Sequence, residues 1–177
     1  MVRKIKAKLV LKGRCRPEKM VRKKMPDGTG LLANVPQRCL TMHPAEVVAE
    51  LCAAGVDFIK DDEKMMNPGY APLEARVDAI MPVIEAHAQK TGKRVMYAFG
   101  ISSADPDRMM RNHDYVAAHG GNAAVVNINS IGHGGMSFLR KRSQLCLHAH
   151  RNGWDILTRH PALGLEFRAY QKIWRLL

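Results

Sequence analysis

The stretch Gly55-Val-Asp-Phe-Ile-Lys-Asp-Asp-Glu63 carries a short apolar run that should enter the interior, and it ends on a lysine and three acids, Lys60, Asp61, Asp62 and Glu63. If residues 56–60 form a strand, alternate side chains share a face. Lys60 and Asp62 then point together, and Glu63 can turn back over the same mouth. Two carboxylates suit a hard, oxygen-loving cation such as Mg2+. A lysine joins such a ligand set only as the carbamate that a neutral, buried amine forms with CO2, because an ammonium repels the cation. The same spacing also describes an ion-pair cluster at a solvated strand end, and spacing alone leaves both readings open.

A second group lies in Leu145-Cys-Leu-His-Ala-His-Arg-Asn-Gly-Trp154. On a strand, His148 and His150 share one face and Arg151 takes the other. Such a pair lines a core or, given a third ligand from elsewhere, holds zinc. A histidine and an arginine at a strand's carboxyl end beside an acidic cation site would suit a phosphorylated, enolisable substrate. Gly132, Gly134 and Gly135 offer main-chain amides to an anion or simply make a turn.

The elements that must position these groups follow from the patterning beyond Met42, where helix and strand signals alternate. Residues 44–55 read as a helix ending at Gly55, with Val47, Val48, Leu51 and Cys52 on one face. Residues 56–60 are then a strand. Residues 72–92 form a helix with Val77, Ile80, Met81 and Ile84 aligned and a kink expected at Pro82. Residues 94–101 form a strand, and Asp105 caps a helix with Pro106 in its first turn. A strand over 122–132, a short helix over 135–144, a strand over 145–151 and a last helix over 165–177 complete the series. Four strand-helix units in series mean either an open doubly wound sheet or part of a (β/α)8 TIM barrel, and in both folds ligands sit at the carboxyl ends of the strands.

The chain has 177 residues, enough for one domain, and no run of about 18 apolar residues that would span a membrane. Its start lacks the apolar core of a secretory signal, so a cytoplasmic location is expected. Cys15, Cys39, Cys52 and Cys146 are widely spaced, which fits reduced thiols. The net charge of +12 is concentrated at one end: residues 1–40 hold 12 basic residues against Glu18 and Asp27, whereas residues 41–177 hold 16 basic and 14 acidic ones. Apart from an alternating Lys4–Lys12, residues 1–40 show no sustained period, and we expect an irregular, poorly ordered basic segment. It is either a solvated arm or a nucleic-acid-binding one.

Taken together, Gly55, Asp57, Phe58, Lys60, Asp62 and Glu63, followed by His148 to Trp154, carry a resemblance to the C-terminal barrel domain of the RuBisCO large chain, and more closely to the type IV RuBisCO-like proteins. Residues 95–102, 125–135 and 159–177 fit the same family in the same order, so the resemblance covers about residues 42–177. It implies that Lys60 is the carbamylated lysine, that Asp62 and Glu63 are Mg2+ ligands, that His150 lines the substrate site and that Arg151 binds substrate phosphate. Lys60 and His150 are the candidate catalytic residues. The implied chemistry is Mg2+-dependent enolisation of a phosphorylated ketose, in the lyase or isomerase class, by a protein that is a homodimer at full length.

The sequence also departs from the family. Trp154 stands where RuBisCO has a second active-site histidine, which favours a RuBisCO-like relative over a true carboxylase. An Ile-Lys-Pro strand expected before the first helix is replaced by Gly30-Leu-Leu-Ala-Asn-Val-Pro36. We therefore expect a partial barrel, a fragment inactive by itself, whose first 40 residues resemble sequence read in a shifted frame or from a misplaced start. Two alternatives remain: a metal-dependent hydrolase using His148 and His150, and a nucleic-acid-binding protein using residues 1–40.

Overall fold

The computed structural model describes residues 21–24, 31–34, 44–160 and 162–176. Six strands form one sheet in sequence order: β1 (Val21–Lys24), β2 (Leu31–Asn34), β3 (Phe58–Lys60), β4 (Met96–Gly100), β5 (Ala123–Asn127) and β6 (Cys146–His150). β1 pairs antiparallel with β2, and β2 to β6 are mutually parallel. Helices α1 (Pro44–Ala53), α2 (Leu73–Thr91), α3 (Pro106–Ala118) and α4 (Ile128–Arg140) make the crossovers, and α5 (Trp154–Thr158) and α6 (Phe167–Leu176) follow β6. A doubly wound sheet reverses its strand order part-way. Here the order never reverses, so the sheet is a stretch of barrel wall.

Two short strands occur where the sequence shows no clear strand signal. Leu31–Asn34 adds a fifth parallel strand ahead of the four read from the sequence, and Val21–Lys24 pairs back onto it. The rest of the expected irregular segment, with Cys15 and Cys39, lies outside the described residues.

Alternation along the strands separates the molecule into two sides. Ile59, Tyr97, Phe99, Ala124 and Val126 face the helices and join Val48, Leu51, Val77, Ile80, Ile84, Met109, Val116 and Leu139 in one large core. The opposite, inward face is filled by small or slender groups, Ala98, Ala123 and Val125, with Phe58 and Met96 against them. The same parity puts Lys60, Asn127, His148 and His150 on the inward face.

The helix starts and stops follow local chemistry. Asp105 accepts a hydrogen bond from the Asp107 amide at 2.9 Å, the N-cap that the sequence predicts. α2 closes on Gly92 in the left-handed conformation (φ 72°), and it keeps its helical assignment through Pro82. The third strand is shorter than expected: it stops at Asn127, and residues 128–131 already coil into α4, which breaks at Gly132 (φ 71°) and resumes. Of the glycines that could serve an anion or a turn, Gly132 makes this break, and Gly134 and Gly135 lie in the helix that follows it.

No helix among the described residues is long and apolar enough to cross a membrane. Cys52 and Cys146 are free thiols, the first buried and the second exposed.

Candidate active site

The carboxyl ends of β3, β4, β5 and β6 converge on one mouth, and the acidic run after β3 divides between two tasks there. Asp61, fully buried, turns to the helix side. Its carboxylate accepts hydrogen bonds from the Tyr97 hydroxyl (2.6 Å) and the Gly100 amide (2.7 Å), and it is ion-paired with Arg76 of α2, itself 2% exposed. Arg76 also donates from Nε to the Ala71 carbonyl at 3.2 Å. Burial, with the Asp61 charge adding to it, pushes the Tyr97 hydroxyl well above its ordinary range, so it remains a donor. This network fastens the end of β3 to β4 and α2. A β-carbon on Gly100 would stand 2.5 Å from the Met65 carbonyl oxygen, so only glycine lets the loop after β3 fold over β4.

Lys60 and Glu63 look the other way, into the mouth. Lys60 is 5% exposed, and its Nζ donates to the Asp61 carbonyl at 3.0 Å and to Glu63 Oε2 at 3.4 Å. His150 Nε2 lies 3.8 Å from the same Glu63 oxygen. Burial raises the Glu63 carboxyl, but a hydrogen bond from its own main-chain amide and the charges of His150 and Lys60 outweigh that, and it stays below its ordinary value. Asp62 is half-buried and turns one oxygen to the Lys64 amide at 2.9 Å, closing its own turn. Asn127, 1% exposed, donates its side-chain amide to the Glu63 carbonyl, while its Oδ1 has no partner.

The two histidines stack up the inward face with ring centres 6.3 Å apart, and His148 sits against Phe58 at 5.8 Å. Burial, then the Lys60 charge and then His150, bring His148 down to about 4. His150 is lowered chiefly by burial, with Glu63 opposing. Both are neutral at neutral pH. Arg151 is exposed at the strand's end, its guanidinium 5.9 Å from the Phe167 ring centre. Trp154 stacks between α5 and α6, 5.1 Å from Phe167 and 4.6 Å from Tyr170.

The structure thus brings Lys60, Glu63 and His150 into contact and sets Asp62 on the same loop. Among the described residues no group of three His, Cys, Asp or Glu side chains is arranged to hold a metal, so His148 and His150 find no third ligand of that kind there. The mouth carries nitrogens, those of Lys60, His148 and His150, and carboxylate oxygens, those of Glu63 and of Asp62 on the same loop. The two carboxylates suit a hard cation.

Asp61, Arg76 and Asn127 went unassigned in the sequence. The signals were an arginine on the apolar stripe of α2 and an acid at the core-facing position of a strand, each a buried charge in search of the other.

The sequence model of the family described as "Ribulose bisphosphate carboxylase large chain, catalytic domain" matches residues 36–177. The chain belongs to the RuBisCO large-chain family. The "3-oxo-isoapionate-4-phosphate decarboxylase" of Rhizobium etli is 66% identical over 154 residues, 85% of this chain and 37% of that protein. The crystal structure of a RuBisCO-like protein from Burkholderia fungorum matches with a TM-score of 0.73 at 36% identity, over 83% of this chain and 46% of that one. The "Dimeric Archeal Rubisco from Hyperthermus butylicus" matches with a TM-score of 0.74 at 25% identity, over 80% of this chain and 34% of that one. This RuBisCO-family chain spans about two fifths of the length of the curated relative just named, and its fold is part of a RuBisCO-like barrel.

Proposed function

We propose that the chain supplies the cation-binding side of a site that decarboxylates a phosphorylated 3-oxo sugar acid, of the kind named for the Rhizobium etli relative. The observation that carries this reading is the contact of Lys60, Glu63 and His150 at the mouth, where Glu63 Oε2 stands within 4 Å of both the amine and the imidazole. A 3-oxo acid loses CO2 by breaking the bond between its carboxyl carbon and the carbon next to the ketone. The electron pair of that bond moves into the ketone to give an enolate, which then takes a proton on carbon. This is the same oxyanion chemistry as the enolisation expected from the sequence, reached by loss of CO2 instead of a proton.

Asp62, Glu63 and the Lys60 carbamate would hold Mg2+, which supplies Lewis-acid stabilisation of the oxyanion. Lys60, nearly inaccessible to solvent, is held facing Glu63. His150, neutral because it is half-buried, presents a ring nitrogen at the mouth that can exchange a proton with the substrate carbon. Arg151, exposed beside it, would meet the phosphate. Trp154, packed on Phe167 and Tyr170, contributes no acid or base. A homodimer is proposed in keeping with the dimeric archaeal RuBisCO.

The test is CO2 release from 3-oxo-isoapionate 4-phosphate in the presence of Mg2+ and bicarbonate. It would use the purified chain and, in parallel, the Rhizobium etli enzyme with its matching segment replaced by residues 44–177 of this chain. Activity of the hybrid that disappears with Lys60→Ala is the expected result. A folded hybrid without activity would refute the proposal.

A further inference from the structure

Asn127 is the last residue of β5, and its place in the ladder is opposite His150 of β6. It is 1% exposed, its main-chain amide donates to Ser102 Oγ at 2.9 Å, and its side-chain amide donates to the main-chain oxygen of Glu63. That last bond is the one side-chain tie from β5 to the loop that carries Asp62 and Glu63 among the hydrogen bonds of the described residues. The other half of the same amide is buried with no partner.

A buried amide oxygen without a partner is unfavourable, and its cost offsets much of what the bond to the Glu63 oxygen contributes as long as nothing else enters the pocket. The residue makes sense where its oxygen gains a donor once the site is filled. We infer that Asn127 is a positioning residue for the cation site: it holds the Glu63 main chain in place, so that the carboxylate reaches the cation, and its Oδ1 accepts a hydrogen bond from a hydroxyl or water that enters with the cation. This rests on the Mg2+ reading of Lys60, Asp62 and Glu63. Groups that orient metal ligands in this way change affinity about 10- to 100-fold when removed.

The experiment is calorimetric titration of Mg2+ into the purified chain in bicarbonate buffer, for wild type, Asn127→Leu and Asn127→Thr, with a thermal melt of each. Asn127→Leu is expected to weaken Mg2+ binding about 10- to 100-fold while melting near the wild-type temperature, because loss of the bond to the Glu63 oxygen is offset by removal of the unpartnered amide oxygen. Asn127→Thr keeps a hydroxyl on the same strand position and is expected to fall between the two. It also serves if the leucine variant does not fold. Binding by both variants within twofold of wild type overturns the inference, and so does a loss of affinity that merely tracks a loss of melting temperature. Absence of Mg2+ binding by the wild-type chain overturns the cation reading itself, an outcome distinguishable from failure at Asn127.

Discussion

Asp61 offers the sharpest test of the division between fastening and chemistry. Replacing it with asparagine removes the charge that pairs with Arg76, and it turns an amide towards a ring of donors, the Arg76 guanidinium, the Tyr97 hydroxyl and the Gly100 amide. Arg76 is 2% exposed and cannot recover its loss by hydration. Breaking one side of a buried pair costs about 3–5 kcal/mol, against a total stability of about 5–15 kcal/mol for a domain. At roughly 2–4 °C per kcal/mol for a chain of this size, Asp61→Asn should melt about 6–20 °C below wild type. The double variant Asp61→Asn with Arg76→Leu should regain much of that, since removing both charges is often nearly neutral. The assay is thermal and urea unfolding of the wild type, both single variants and the double variant, followed by circular dichroism. A single Asp61→Asn variant within about 2 °C of wild type, judged against the scale just given, would refute the reasoning. So would a double variant no better than the worse single one.

Asp62→Asn and Glu63→Gln should instead change stability by less than about 1 kcal/mol, because both side chains are partly solvated, while calorimetric Mg2+ binding is lost. Gly100→Ala places a β-carbon 2.5 Å from the Met65 carbonyl oxygen. It should lower stability by about 2 kcal/mol in a urea melt and weaken Mg2+ binding as the 61–66 loop shifts. For His148 the folded value lies near 4 against an ordinary 6.5. The unfolded chain therefore takes up the proton first, so stability is intact above pH 6.5, declines as the pH falls from 6.5 to about 4, and is flat for this group below that. With partial solvent access discounted, the loss is on the order of 1–3 kcal/mol. Denaturant melts across that window should show it, and His148→Gln should flatten the curve.

The four central strands and their crossover helices were legible from residues 42–177 because their apolar periods are long and their caps, such as Asp105 with Pro106, are conventional. Periodicity alone left doubly wound sheet and barrel open, since strand order is a tertiary property that no local period encodes; the family resemblance pointed to the partial barrel, and the unreversed strand order bears it out. β2 was missed for the opposite reason: Leu31-Leu-Ala-Asn34 is four residues long and gains its partners only in the fold, from the parallel ladder with Phe58–Lys60 and the antiparallel one with Val21–Lys24. The end of β5 was misplaced because Ile128 and Ile131 continue an apolar run that suits a strand or a helix equally. At the site, residue type and spacing put Lys60, Asp62 and Glu63 at one strand end and His148 and His150 on one strand face but left their roles open; what the fold adds is that Glu63 stands within 4 Å of both Lys60 and His150. Asp61 and Arg76 were not legible, because they lie fifteen positions apart and each looks solvated until the fold buries both.

The alternation that sends Lys60 to the mouth and Asp61 to the core makes this region sensitive to arithmetic more than to chemistry. A substitution between Val56 and Ile59 alters one contact, but deleting a single residue there changes the parity of everything that follows up to the turn. Asp61 would be delivered to the mouth, and Lys60 and Asp62 to the aliphatic side of the sheet. The segment should therefore accept many changes of side chain and very few changes of length, and a library that varies the two independently should recover folded chains almost entirely from the first class.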